Sequence, residues 1–265
     1  MNVPTRRVFV KAGLSAVVAA AATPWSVLAA DPVLGMIFPP LDYPVPPEAT
    51  RLYPAGVRFL ARGVGLEAMT PESYDAAIPR VLPAAESLKR EGAQAISVMG
   101  TSLTFYKGRA FNEALTQQVA KATGLPTTTM STGIVDGLRL AGARRLAVVT
   151  AYSDDVTARL SAFLEEYGFS VVAAKGLGYV QIPPGGIIKD DSLFNFSVGV
   201  FESARGADTL LVSCGGLQTL DMIVPLETRC RVPVVSSTPH ALMNGVRLLG
   251  LSGRAAGFGR VLANA

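Results

Sequence analysis

The sequence predicts an α/β protein of two pseudo-symmetric halves, each a short parallel sheet flanked by helices, with the active site in the cleft between them. Three observations carry this expectation. Short apolar or β-branched runs alternate with stretches of helical spacing, as in βαβ units. Several runs end in small or hydroxyl residues, as at a strand tip that turns into a helix: Gly100-Thr101-Ser102, Ser131-Thr132, Cys214-Gly215-Gly216 and Ser237-Thr238. The chain also repeats itself. Leu125-Pro126, Ser131-Thr132, Gly137-Leu138-Arg139-Leu140 and Gly142 match Val232-Pro233, Ser237-Thr238, Gly245-Val246-Arg247-Leu248 and Gly250. The strand ending at Gly100 corresponds in the same way to the one ending at Cys214. The halves are expected over residues 31–143 and 144–265, with 239–265 packing back on the first half.

In chain order, residues 34–38 form a short buried strand that stops at Pro39-Pro40, because proline cannot donate to a ladder. Pro44, Pro46 and Pro47 make the stretch up to Tyr53 an extended surface segment on the rim of the strand ends. Residues 58–66 read as a second strand. Thr70-Pro71-Glu72 starts a helix, with Pro71 at its first position, that runs to residue 91 and is open to interruption at Pro79 and Pro83. Residues 94–99 are the next buried strand, followed by a short loop with Phe105 and Tyr106 and a helix over 112–123 closed by Gly124. A threonine-rich strand at 126–130 leads into a helix capped by Ser131 or Thr132 and ending at Gly142. The second half places strands at 145–149, 170–174, 209–213 and 232–236, and helices at 154–167, 191–204, 219–229 and 239–249.

Composition narrows the class. With 265 residues, 49% apolar and 26 glycines, the chain is globular rather than disordered. Its net charge of +4 includes Arg6, Arg7 and Lys11. Without these three, 21 basic residues face 20 acidic ones, so nothing favours nucleic acid or an acidic membrane surface as partner. All three belong to residues 1–30, where a charged start, an apolar run at 12–22 and Ala29-Ala30 have the layout of a cleavable secretory signal. The paired arginines resemble a twin-arginine signal, which implies passage through the twin-arginine export machinery and a periplasmic location. The apolar run is shorter than the roughly 20 residues of a comfortable membrane span.

An oxidising compartment raises the question of a disulfide between the two cysteines. A helix over 219–229 would span about 16 Å, whereas bridged cysteines need Cα atoms within about 7 Å. Cys214 is therefore expected as a free thiol at a strand tip and Cys230 as a small buried residue.

Several chemistries lack their residues. The one histidine, His240, has no cysteine or carboxylate at ligand spacing, and no glycine-rich phosphate loop is present, so neither metal nor cofactor is expected. A Ser-His-Asp hydrolase would have to take His240 as its base; the plainer reading is a surface or helix-start histidine. What remains is a thiol among neutral donors: Thr101 and Ser102 from one half, Tyr152, Cys214 and the Gly215 amide from the other. Donors aimed at one point stabilise a developing oxyanion. Taken singly, the hydroxyls of Thr101 and Ser102 read more readily as helix caps or turn bonds, and Tyr152 reads equally well as a wall residue.

Gly100-Thr101-Ser102-Leu103 with Phe105-Tyr106, Thr150-Ala151-Tyr152 with Asp154-Asp155, and Ser213-Cys214-Gly215-Gly216-Leu217 with Leu220-Asp221 closely resemble the arylmalonate decarboxylases. These belong to the aspartate/glutamate/hydantoin racemase superfamily, beside the maleate cis-trans isomerases. The similarity runs from Gly35 to Arg260 and includes Leu52-Tyr53-Pro54, Thr70-Pro71-Glu72, Tyr74-Asp75 and Thr128-Thr129-Met130. It implies a racemase-like fold and cofactor-independent decarboxylation of a small dicarboxylate, an α-aryl or α-alkenyl malonate. By position, Cys214 would protonate the α-carbon, and Thr101, Ser102, Tyr152 and the Gly215 amide would form a dioxyanion hole. Pro39, Leu66 and Met69 would help line an apolar pocket for the departing carboxylate. Where racemases and maleate isomerases carry a second cysteine, this chain has Gly100, which implies protonation of one face only. Two departures from the resemblance are residues 182–188, IPPGGII, and the loop at 41–47. An isomerase pairing Cys214 with another acid, and an exported acid-binding protein without turnover, are the rival readings.

Overall fold

The first strand, Val33–Phe38 (β1), is buried along its whole length, as an unbroken apolar run must be when helices cover both faces of a parallel sheet. The computed structural model describes residues 1–2 and 30–265, so the expected export signal lies almost wholly outside the described residues. Residues Asp31–Ala265 form one compact unit.

After β1 the structure departs from the sequence expectation. Pro47–Leu52 is a helix (α1), and the proline-rich stretch is extended only up to Pro46. Pro47 opens the helix because the first helical residue needs no N–H partner, and Glu48, Ala49 and Leu52 are buried. Arg58–Gly63 (β2) pairs in parallel with β1. Its continuation leaves the ladder gradually, with the Val64 and Leu66 amides donating to the Phe38 and Pro39 carbonyls at 2.9 and 2.7 Å. Thr70 caps Pro71–Ala77 (α2) by accepting the Ser73 N–H. A 3₁₀ turn at Ile78–Arg80 carries Pro79, and Val81–Arg90 (α3) follows. Pro83 falls in the first turn of α3, where its missing N–H costs no hydrogen bond.

Ala95–Val98 (β3) leads directly into Thr101–Phe105 (α4), a short helix where a loop was expected. Gly108–Thr123 (α5) begins a turn earlier than its spacing suggests and ends at Gly124 in the left-handed region, φ 68°. Thr127–Thr129 (β4) runs into Met130–Leu140 (α6), whose cap is Thr129, accepting the Thr132 N–H at 3.0 Å, rather than Ser131 or Thr132. The second half follows with Arg145–Tyr152 (β5), Asp154–Glu166 (α7), Ser170–Tyr179 (β6), Leu193–Ser203 (α8) and Thr209–Ser213 (β7). A 3₁₀ turn at Leu220–Met222 precedes Ile223–Cys230 (α9), Val234–Ser236 (β8), Ser237–Leu248 (α10) and Arg260–Ala263 (α11). β6 is longer than expected, because its second half follows β5 out to Tyr152.

Both sheets are parallel and share one strand order, β2-β1-β3-β4 and β6-β5-β7-β8. The sequence repeat is thus a structural repeat, strand for strand, and the strand carrying Cys214 at its tip occupies the place of the one leading to Gly100. Helices α6 and α10 cross so closely that a Cβ at Gly133 would lie 2.7 Å from Ala241 Cα. Gly245 of α10 sits as tightly on Leu34 of β1, so the last long helix also packs on the first sheet. Among the described residues, no helix is long and apolar enough to cross a membrane. Cys214 and Cys230 are both free and buried, in line with the helix-length argument.

His240 lies in the first turn of α10, as a helix-start histidine does, and is not on the surface. It is fully buried in α10 against Gly137, with Nδ1 paired to the Ser236 backbone and Nε2 without a partner. Burial pushes its pKa down from 6.5 to about 4, against the pull of the Ser236 backbone. An unfolded histidine takes up a proton below about 6.5, and the folded one only near 4. Folding stability is therefore expected to fall as pH drops through this window, by about 3 kcal/mol from this residue. Urea unfolding of wild type and His240→Gln at neutral pH and at pH about 4 should show the smaller decline in the variant. Equal declines would refute a neutral buried imidazole.

Candidate active site

The tips of β3 and β7 become a site because each strand turns at once into tightly held small residues. Cys214 follows β7 directly and is 7% exposed. Its amide donates to Ser237 Oγ at 3.1 Å, and the Gly216 amide donates to its sulfur at 3.4 Å. From the other half, the Thr101 hydroxyl lies 3.2 Å from the same Ser237 oxygen and 2.7 Å from Met130 Sδ. Ser237 and Met130 are the first residues of α10 and α6. The helix crossing that joins the halves therefore also sets the spacing between Thr101 and the Cys214 backbone.

These groups open on a cavity of about 40 Å³. The polar set expected from the sequence, Thr101, Ser102, Tyr152, Cys214 and Gly215, lines it, and so does the apolar set, Pro39, Leu66 and Met69. Tyr152 is fully buried beside Thr101 and Cys214. No charged side chain is among the lining residues. Among the described residues, no group of three His, Cys, Asp or Glu side chains is disposed to hold a metal ion.

Sequence reasoning missed several contributors. Tyr74, on α2, is fully buried beside Ser102, the one polar side chain near its hydroxyl that bears on its protonation as a hydrogen-bond partner, although the contact falls short of full hydrogen-bond geometry. The cue available in the sequence was the Tyr74-Asp75 pair, which only the family resemblance picked out.

Residues 180–188 form a strap across the cavity. The Met69 amide donates to the Val180 carbonyl at 2.7 Å, Ala68 bridges Gln181, and the Ile188 amide donates to the Gly216 carbonyl at 2.8 Å. The strap thereby joins the first half to the Cys214 turn. On the rim, Arg51 of α1 holds Asp221 by two hydrogen bonds of 2.9 and 2.6 Å. That exposed pair adds little energy but keeps α1 beside the turn.

Burial governs the protonation states. It pushes the Cys214 thiol up, against the Gly216 amide and the Tyr152 hydroxyl, which favour thiolate. Burial likewise lifts Tyr152 well above the ordinary phenol range. At neutral pH the cavity therefore holds a thiol and a phenol, both protonated.

A largely apolar cavity with one buried thiol and several neutral donors, set between two like sheets, has the make-up of an enzyme's active site. The arylmalonate decarboxylase family pattern matches residues 34–262. The chain is 47% identical over 234 residues to the arylmalonate decarboxylase of Bordetella bronchiseptica, covering 88% of this chain and 97% of that protein. A solved double variant of arylmalonate decarboxylase in liganded form superposes with a TM-score of 0.84 at 45% identity, over 88% of this chain and all of the other. Pseudomonas putida maleate isomerase, at 20% identity, shares the fold with a TM-score of 0.79, over 88% of this chain and 98% of its own. The chain belongs to the arylmalonate decarboxylase family and is a carboxy-lyase.

The difference in ultraviolet thiolate absorbance between wild type and Cys214→Ser should appear only above the ordinary thiol pKa of about 8.5. A Cys214 thiolate signal at neutral pH would show that the amide and the hydroxyl outweigh burial.

Proposed function

We propose that this carboxy-lyase decarboxylates α-aryl or α-alkenyl malonates without a cofactor, using Cys214 as the acid for one face of the α-carbon. The observation that carries the reading is the meeting of one buried thiol and a set of neutral donors in one largely apolar cavity. One carboxylate lies against Thr101, Ser102, Tyr152 and the Gly215 amide. The other enters the pocket near Pro39, Leu66 and Met69, where it loses hydration and finds no cation. Breaking its bond to the α-carbon releases CO₂ and leaves the electron pair as an enediolate, whose charge is shared by the retained carboxylate and the aryl or vinyl group. The donors strengthen their hold as that charge develops. The Cys214 S–H then gives its proton to the α-carbon, and the thiolate left behind recovers a proton from water.

The opposite face has no matching acid. Gly100 stands at the equivalent strand end, and a Cβ there would lie 2.8 Å from Pro39 Cγ. This favours decarboxylation with one stereochemical outcome over two-base isomerisation, and the family resemblance points to an R-configured monoacid.

The deciding experiment is phenylmalonate turnover in D₂O by wild type and Cys214→Ser, following CO₂ release and product chirality. Wild type should give a singly deuterated product of one hand. The serine variant should be slower by roughly 10²–10⁴-fold, the usual contribution of a positioned acid. Undiminished turnover in the variant would remove Cys214 from the mechanism.

We also propose that residues 1–30 direct the enzyme through the twin-arginine machinery to the periplasm. The paired Arg6-Arg7, the apolar run and the small residues at 29–30 support this, as does a family match that begins only at residue 34. Exchanging Arg6 and Arg7 for lysine should hold the protein in the cytoplasm, while the periplasmic wild type should start near Asp31. A periplasmic chain that still carries Met1 would rule out cleavage.

A further inference from the structure

The two segments that depart from the family resemblance, the loop at 41–47 and the stretch at 182–188, meet at the cavity. The loop after Pro40 brings in Tyr43, which lines the cavity and is 9% exposed. Its ring stacks on Phe38, with centroids 4.5 Å apart and planes inclined by 26°. Its hydroxyl makes a long hydrogen bond of 3.4 Å to the Gly215 carbonyl, on the turn that carries Cys214. The ring is thus held on one face by the end of β1 and at its tip by the catalytic turn. A phenol fixed at both places is a rigid wall.

The strap meets this wall at Gly186. A Cβ there would lie 2.6 Å from Tyr43 Cδ2 and 2.7 Å from Pro40 Cγ, and the backbone is left-handed at φ 71°. The strap can close over the cavity in this path because residue 186 has no side chain, and the Tyr43 ring takes up the space that one would need. Tyr43 and Gly186 are therefore complementary parts of one closure, contributed by the two halves of the chain.

We propose that Tyr43 is the specificity-determining residue of this cavity, setting the size of the α-substituent that the closed site accepts. The proposal rests on the decarboxylase reading above. A planar aryl group fits against a flat ring, and a larger one meets a wall pinned at its face and its tip.

The test compares wild type, Tyr43→Phe and Tyr43→Ala in kcat/KM for phenylmalonate and naphthylmalonate. Removing the ring should raise the naphthyl-to-phenyl ratio by about tenfold or more, the scale on which pocket volume discriminates substrates. Tyr43→Phe keeps the ring and should leave the ratio within about threefold of wild type. Tyr43→Leu serves as the truncation if the alanine variant does not fold. Calorimetric titration of the same proteins with phenylacetate and naphthylacetate supplies a readout independent of turnover. If wild type turns over phenylmalonate and truncation leaves both ratios unchanged, the role of Tyr43 is overturned and the decarboxylase reading stands. If wild type does not turn over, that reading fails, and Tyr43 is judged by the ratio of dissociation constants alone.

Discussion

The two halves of this protein meet where α6 crosses α10, and the crossing leaves no room for a methyl group at Gly133 or Gly137. The spacing of Thr101 from the Cys214 backbone follows from that close approach. Each helix starts at the tip of an edge strand, β4 or β8, so bringing the helices together brings their first residues together. Met130 and Ser237 then reach the Thr101 hydroxyl, and Ser237 also receives the Cys214 amide. One methyl at the crossing would push the helices apart and take Thr101 away from Cys214 before any catalytic side chain had been altered. Close packing transmits such a change because the interior has little slack to absorb it.

The parts of the fold legible in the sequence are those set by local pattern. Buried parallel strands announce themselves as apolar runs, their tips as Gly, Ser or Thr, and the duplication as the matched segments at 125–142 and 232–250. Thr101, Ser102, Tyr152 and Cys214 were found for this reason, since all of them sit at strand tips. What was not legible depends on distant partners. Pro44, Pro46 and Pro47 signal extension, yet burial of Ala49 and Leu52 makes a helix after Pro47. Ser131 looks like a cap, but its hydroxyl is engaged by the Thr101 carbonyl and Thr104, so Thr129 caps instead. His240 reads as a surface or helix-start residue; it does start α10, but the glycine at 137 makes a buried place for it. The fit of Tyr43 to Gly186 has no local signature, because neither residue shows a reason for its identity without the other.

The solitary thiol has a structural basis as well as a compositional one. The duplicated architecture offers two equivalent strand tips, and symmetry alone would furnish two acids. At the first tip, Pro39 and Leu103 press on the position where a side chain would begin, at 2.8 and 3.0 Å from a Cβ. The apolar wall expected to receive a departing carboxylate thus occupies the space that a second acid would need. On the proposed mechanism the duplicated fold divides its labour, with one tip lending neutral donors and the other a proton.

The absence of charged side chains from the lining residues bears on the same division. A lysine or arginine would hold a dicarboxylate tightly, but it would stabilise the ground state about as much as the transition state and so add little to the rate. Hydroxyls and amides attract a carboxylate less and gain strength as charge builds on the atoms they face. They also leave the thiol's protonation to burial, since a cation nearby would draw the proton off and disarm the acid. Neutral donors, an apolar wall and a protonated cysteine therefore form one consistent set. On the proposed mechanism, a cation in the lining would weaken the penalty on the departing carboxylate and also strip the thiol of the proton it has to give.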